Sequence, residues 1–441
     1  MNYIPKIVSG TQDFYGINIE KRNYLTETIT KVLKSYGYNQ LDTPAFEYLD
    51  TVSMIYGDES DKLIYRILNS GNFLDGVEID GDYRKLSSSI CKKGLRYDLT
   101  LPLMRYVLSH KNELVFPFRR YQVQPVWRAD RPQKGRYREF YQYDADIIGS
   151  SSLSCELELL STICEVLRRF GITGYTIRIN HRDILLCIIS ALGYRDLFQN
   201  VCTLIDKTDK IGVAQVINEI GNLGITDVAL SVLSKLLGNS GRNVDILKDI
   251  DDTLSQFKCT SDGIKDLRFL LDQIECYGID PGKIKVDFSL IRGLSYYTGT
   301  VFEVVVNGVN IGSIIGGGRY KCLKHDEIDG VGLSFGLDRI SVVLDELNLW
   351  NIKQCCSDVL FAVKITSDLY NIVAALRGKG LKVELYLDGH DTRKQLEYAN
   401  KKNIKYVVFD RDKNYIIKEM ESGEQQIVLK DNIFEYFNDV C

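Results

Sequence analysis

Between Arg128 and Asp146 the chain carries arginines, glutamines and carboxylates at strand spacing. Gln122, Gln124 and Arg128 alternate with Tyr121, Val123 and Trp127, the period of a strand. Seven residues, Ala129 to Gly135, then turn the chain, with Pro132 and Gly135 as punctuation. A second strand sends Arg136, Arg138, Gln142, Asp144 and Asp146 to one face, and Tyr137, Tyr141 and Tyr143 to the other. Arginines near the loop and carboxylates further along then share one groove, cationic at one end and anionic at the other. A ligand with a phosphate chain and an ammonium group suits such a groove. A solvated hairpin face with cross-strand ion pairs fits the same pattern.

Four further stretches bear on that choice. In GLRYDLTLPLMRY (94–106), Asp98 and Thr100 share parity at a strand-to-helix turn, where they can face a site or cap the helix that Pro102 helps to start. LIRGLSYYTGTVFE (290–303) holds an arginine and two adjacent tyrosines. GGGRY (316–320) is no phosphate P-loop, since no Lys-Ser/Thr follows; its glycines suit close backbone approach. VGLSFGLDRI (331–340) places Arg339 just past a strand-to-helix junction. Together with 119–149, in this order and spacing, these segments resemble histidyl-tRNA synthetase, a class II aminoacyl-tRNA synthetase. RGLSYYTG is the most specific piece, because it resembles the peptide that separates histidyl enzymes from other class II synthetases. The resemblance runs from SGTQDFYG (9–16) into the last hundred residues and is weakest in roughly 185–275.

The resemblance implies an ATP-dependent histidine–tRNA ligase. It would activate L-histidine with ATP, Mg2+ bound to the nucleotide, and then transfer histidine to the 3′ end of histidine tRNA. Arginine suits the phosphates because its planar fork grips oxygens bidentately and keeps its proton. By resemblance, Arg128 holds the α-phosphate, and Arg136 and Arg339 hold the β/γ end. Arg292 sits between the histidine carboxylate and the α-phosphate as the catalytic charge. Asp98 and Thr100 bind the α-amino group, with Gln142 and Asp146 beside them. Tyr296, Tyr297 and Tyr320 meet the imidazole, whose ring nitrogens a polar pocket can select. Core packing with a satisfied hydroxyl is the other reading of each tyrosine. In the loop RPQKG, Arg131 and Gln133 stand where the bacterial family reads the extra 5′ guanosine and the discriminator base; Arg131 can also serve a phosphate. Ser295, Lys321 and Cys322 depart from the family's RGLDYYTG and GGGRYDGL. LRYDLT and REFYQYDADI look eukaryotic, whereas RPQKGRYR looks bacterial.

The elements that would position these residues read as α+β. The resemblance implies an antiparallel class II catalytic domain over 1–182 and 281–347, carrying motifs 1 and 2 and then the histidine-specific peptide and motif 3. A helical insertion occupies 183–280, where Leu-rich periodicity is broken at 221–224 and 238–241 and strand signals are few. Residues 356–441 carry a β-α-β-α-β pattern, predicting a mostly parallel sheet, then a hairpin and a terminal helix, and the resemblance implies that they are the anticodon-binding domain. YNQLDTPAFEYLD after the helix of 19–36 resembles motif 1, with Pro44 as its proline. In the family that segment builds a homodimer.

Bulk properties agree without deciding. The chain has 441 residues, 45% of them apolar and 26% charged, and a net charge of −4. Any RNA contact must therefore use local patches such as 128–138 or 401–405. No run approaches the ~18 apolar residues of a membrane span. MNYIPKIVSG has neither an apolar h-region nor an Arg/Ser-rich amphipathic start, so a cytoplasmic site is expected. Eleven cysteines without a C-x-x-C pair fit a reducing compartment, and four histidines without H-E-x-x-H predict no metal site. A second reading is a synthetase-like, non-catalytic histidine-binding regulatory protein. Such proteins usually lack the C-terminal domain and have decayed arginine motifs.

Overall fold

The computed structural model describes residues 4–56, 63–79, 81–132, 137–292, 296–322, 328–352, 357–388 and 391–440. They form two compact units: Met1–Asp13 with Lys21–Trp350, and Phe14–Glu20 with Asn351–Cys441.

In the first unit, short strands β1 (Asn39–Gln40), β2 (Phe46–Tyr48), β3 (Arg66–Ile67) and β4 (Lys93–Leu95) precede the long ones. Strands β2, β4 and β3 make a small antiparallel sheet. The main sheet adds β5 (Phe118–Trp127), β6 (Glu139–Ile148), β7 (Tyr175–His181), β8 (Ile284–Val286), β9 (Tyr297–Val306), β10 (Ile315–Cys322) and β11 (Ile328–Gly336). Its eight strands run in the order β1-β5-β6-β11-β10-β9-β7-β8. The central pairs are antiparallel, and the two outer pairs, β1–β5 and β7–β8, are parallel. The α+β antiparallel sheet read from the sequence is therefore observed.

One face of this sheet is apolar and covered. The helix Ile17–Ser35 buries Leu25, Ile29, Val32 and Leu33, an i, i+4, i+7 stripe, and Gly37 follows it at φ +82°. The helix Ser154–Arg169 buries Leu157, Leu160, Ile163, Val166 and Leu167. Tyr121, Tyr143, Ala145 and Ile147 point into the same core. Alternation then forces Gln122, Gln142, Asp144 and Asp146 to the opposite face. Between Arg182 and Tyr277 the described chain is helical, and its buried Ile184, Ile188, Leu233 and Leu267 join the core under the sheet.

In the second unit, strands β12 (Val359–Phe361), β13 (Val383–Leu385), β14 (Tyr406–Arg411), β15 (Asn414–Glu419) and β16 (Gln425–Leu429) form one sheet, ordered β13-β12-β14-β15-β16. The first three are parallel and the last two pairs antiparallel, so the sheet is mixed rather than mostly parallel. Tight turns decide this, because a strand returned within a few residues can only pair antiparallel. Asp412 at φ +50° and Gly423 at φ +76° supply those turns.

Candidate active site

The polar face of the main sheet is built in rows. Across the antiparallel ladders, Gln122, Asp144, Ser334, Gly316, Glu303 and Arg178 are successive partners. One step along, Arg120, Asp146, Gly332 and Gly318 are partners. A cleft of about 280 Å³ opens over these rows. Asp98, Thr100, Arg128, Gln142, Asp146, Arg292, Tyr296, Tyr297, Tyr320 and Arg339 all line it, as does Asp144. Residues as far apart in sequence as Asp98 and Arg339 thus meet at one site.

The anionic end is densely held. Asp146 is buried, with Oδ2 2.8 Å from Nη2 of Arg120, and its Oδ1 accepts the Tyr320 hydroxyl at 2.5 Å. Glycine at 332 makes room for it: a Cβ there would lie 1.9 Å from Oδ1 of Asp146. Burial, opposed by Arg120, raises the Asp146 pKa and pushes Asp144 up to about 7. Gln142 donates from Nε2 to Ser334 at 3.0 Å and to Asp144 at 3.4 Å. Asp98 accepts the backbone N–H groups of Thr100 and Leu101, each at 3.1 Å. It thereby satisfies two N–H groups of the first turn of the helix Thr100–His110 while lining the cleft.

The tyrosines divide packing from polarity. Tyr297 and Tyr320 are buried with Leu103, Met104 and Val107, and Tyr296 packs against them. The Tyr296 and Tyr297 ring centroids are 4.6 Å apart, those of Tyr296 and Tyr320 6.1 Å. Burial raises the pKa of Tyr296 and Tyr297, so both hydroxyls stay protonated as hydrogen-bond donors.

The cationic end is oriented largely by neutral groups. Arg128 lies over the rings of Tyr97 at 4.3 Å and Phe140 at 5.1 Å, and donates from Nε to the Tyr97 carbonyl at 3.1 Å. Arg339 donates to the Ser313 carbonyl at 2.6 Å. Arg292 lies over β9 and β10. It donates to Glu303 at 3.1 Å and lies on Gly316, where a Cβ would meet Nη1 at 1.8 Å. The close approach of this side chain requires glycine at 316.

One expectation changes, the face of Arg138. The second strand begins at Glu139, so Arg138 lies before it and donates instead to the carbonyls of Asp130 and Ser9. The backbone folds there because Arg138 N–H also binds the Gly10 carbonyl at 2.7 Å. Gly10, from SGTQDFYG, packs on this loop. Arg131 is exposed and does not line the cleft. Arg136, Gln133 and Ser295 lie outside the described residues, and Lys321 is exposed. Arg120 and Glu303 were not singled out from sequence. Arg120 shares strand parity with Gln122, and Glu303 shares it with Tyr297, so a signal existed in each case.

The sequence model described as histidyl-tRNA synthetase matches residues 85–340. The histidine–tRNA ligase of Bacteroides fragilis is 42% identical over 97% of this chain and 98% of that protein. The chain belongs to the histidyl-tRNA synthetase family. A histidyl-tRNA synthetase structure from Nostoc sp. PCC 7120 aligns over 100% of both chains, with a TM-score of 0.80 and 26% identity. A structure described as an ATP phosphoribosyltransferase regulatory subunit/histidyl-tRNA synthetase, from Bacillus halodurans, covers 93% of this chain at a TM-score of 0.72 and 19% identity. That second likeness shows the class II histidyl-tRNA synthetase fold alone, which is not enough to choose between enzyme and regulator.

Proposed function

We propose that the chain is an ATP-dependent ligase that joins histidine to tRNA. It activates L-histidine with ATP to histidyl-adenylate and pyrophosphate, then transfers histidine to the 3′ end of histidine tRNA. The observation that carries the reading is the two-ended cleft. Buried carboxylates, Asp144 and Asp146, and the arginines Arg128, Arg292 and Arg339 line one cleft, which supports an ammonium at the acids and phosphates at the arginines.

The residues divide the work as follows. Asp98, Thr100, Gln142 and Asp146 hold the α-ammonium group. Tyr296, Tyr297 and Tyr320 face the imidazole. Arg128 takes the α-phosphate, and Arg136 and Arg339 take the β/γ end, where Mg2+ enters bound to ATP. A carboxylate oxygen of histidine attacks the α-phosphorus in line, and pyrophosphate leaves. Charge grows on the non-bridging oxygens during attack. Arg292 is placed to stabilise it, and one such donor is typically worth about 3 kcal/mol. A regulator that only binds histidine needs no arginines at a phosphate end, which supports the ligase over that alternative.

Transfer needs tRNA. Arg131 is exposed on the loop between β5 and β6, which supports a role with Gln133 in reading the first base pair and discriminator. The helices of 183–280 are the inserted domain beside the acceptor arm, and 356–441 binds the anticodon. Two copies form a homodimer through the motif 1 region. Phe46, Tyr48, Leu68 and Tyr83 support this, being large apolar residues half or more exposed around the small sheet. Among the described residues no helix is long and apolar enough to cross a membrane, and we place the enzyme in the cytoplasm.

The test is ATP–pyrophosphate exchange with each amino acid in turn. Histidine alone should support exchange. Exchange with no amino acid, together with thermal stabilisation by histidine, would favour the regulator.

A further inference from the structure

Arg292 is held from two directions by groups that reach toward the helical stretch. Its side chain donates to Oε1 of Glu303 at 3.1 Å. Glu303 is the cross-strand partner of Arg178 on one side and of Gly316, on which Arg292 lies, on the other. Arg178 in turn binds Asp287 at 2.6 Å and Asp209 at 2.7 Å, and Asp209 belongs to the short helix Thr208–Ile211. The backbone is held separately. Arg292 has φ +57°, a left-handed conformation that a non-glycine residue keeps only where its surroundings impose it. Arg182 Nη1 donates to the Arg292 carbonyl at 3.0 Å, and the Arg182 guanidinium lies 5.6 Å from the ring of Phe198 in the helix Phe198–Ile205. Both routes therefore end on residues 198–211.

We propose that Glu303 is a positioning residue for Arg292, and that Asp209, through Arg178, sets Glu303 so that the helices of 198–211 govern where the Arg292 fork points. This rests on the ligase reading. A guanidinium is planar and rigid, so fixing one nitrogen fixes the directions of the others. A carboxylate is the right partner, because it binds the fork strongly and lies in a row of the sheet that cannot move independently. Displacement of the helices 198–211 by a bound acceptor arm would then be felt at the reacting centre. Glu303 touches no substrate in this scheme; it acts through Arg292.

The experiment is histidine-dependent ATP–pyrophosphate exchange on E303Q, D209N, R292A and the E303Q/R292A double variant. E303Q should lower kcat about tenfold without raising KM for histidine, the loss expected when a charge-assisted bond that orients a transition-state donor becomes neutral. On the R292A background it should lower the residual rate no further, since both changes remove one unit. A purely structural role for Glu303 would lower the rate equally on both backgrounds and would overturn the proposal, as would unchanged kcat in E303Q. Asp209 has a side chain 68% exposed, so D209N should fold even if E303Q does not. It should lower kcat about twofold to threefold with KM unchanged, a small effect suited to an exposed pair. No change in D209N would overturn the link to the helices. Absence of exchange in the unsubstituted chain would sink the ligase reading, whereas unchanged exchange in E303Q and D209N, with R292A impaired, would sink only this inference.

Discussion

The two ends of the cleft hold their charges by opposite means. At the amino end the carboxylates of Asp144 and Asp146 are buried and crowded, and Asp146 is tied to Arg120 and Tyr320. At the phosphate end Arg128 and Arg339 are aimed by backbone carbonyls and by aromatic faces. On the proposed assignment of the cleft, the difference suits the ligand. One ammonium carries a single charge, and a buried, shared set of acids fits around it with little room for anything else. A triphosphate brings several charges, and an arginine already paired with a carboxylate would have to release it first. Neutral partners orient a guanidinium without cancelling its charge. Arg292 donates to a carboxylate, Glu303.

Breaking each end separately tests that contrast. R292A should lower histidine-dependent exchange about a hundredfold or more, the usual loss of one transition-state donor, while histidine still raises the thermal midpoint. D146N should do the reverse. Histidine binding should weaken about tenfold to a hundredfold by titration calorimetry, because Arg120 is left without its charged partner and the ammonium without its acid. The glycines sharpen the split further, since they sit on neighbouring strands. G332A intrudes on Asp146 and G316A on Arg292. G332A should raise KM for histidine about tenfold, and G316A should lower kcat by a similar factor with less change in KM. Equal effects of both on both constants would show that the ends are not independent.

The smallest effect is one of pH. Burial raises the Asp144 pKa to about 7 in the folded chain, opposed by Arg120 and assisted by Asp146 and Asp98. The folded state therefore keeps a proton that the unfolded state has lost between about pH 4 and 7. Stability from this group is full below about pH 4 and is lost as pH rises toward 7. D144N should remove that loss. Its thermal midpoint should gain on the parent chain as pH rises from about 4 to 7. A constant offset across that range would contradict the burial of a titrating carboxyl.

Much of this site was legible from parity. Gln142, Asp144 and Asp146 share one face because strand period is two, and nothing in the core can override that without exposing Tyr143. The arginine of VGLSFGLDRI and the tyrosines of RGLSYYTG reach the cleft because their motifs lie at β11 and β9, the two strands that flank β10. What failed were features set by distant partners. Arg138 left the expected face because the carbonyls of Ser9 and Asp130 outbid solvent, a contact no local pattern encodes. Arg120 and Glu303 matter through what they touch across strands, and register is not visible in a single segment. The mixed C-terminal sheet turned on two short turns at Asp412 and Gly423. Conversely, the stretch 182–277 was readable as helix from its periodicity, but its link to Arg292 through Arg178 and Arg182 was not.

The most direct test of the two-ended cleft is a crystal structure of the chain with a non-hydrolysable histidyl-adenylate analogue. The ammonium should lie within hydrogen-bond reach of Asp146 and Thr100, and the α-phosphate surrogate against Arg128 and Arg292. An analogue bound the other way round, with its phosphate surrogate beside Asp146 or its ammonium at Arg128, would contradict the account.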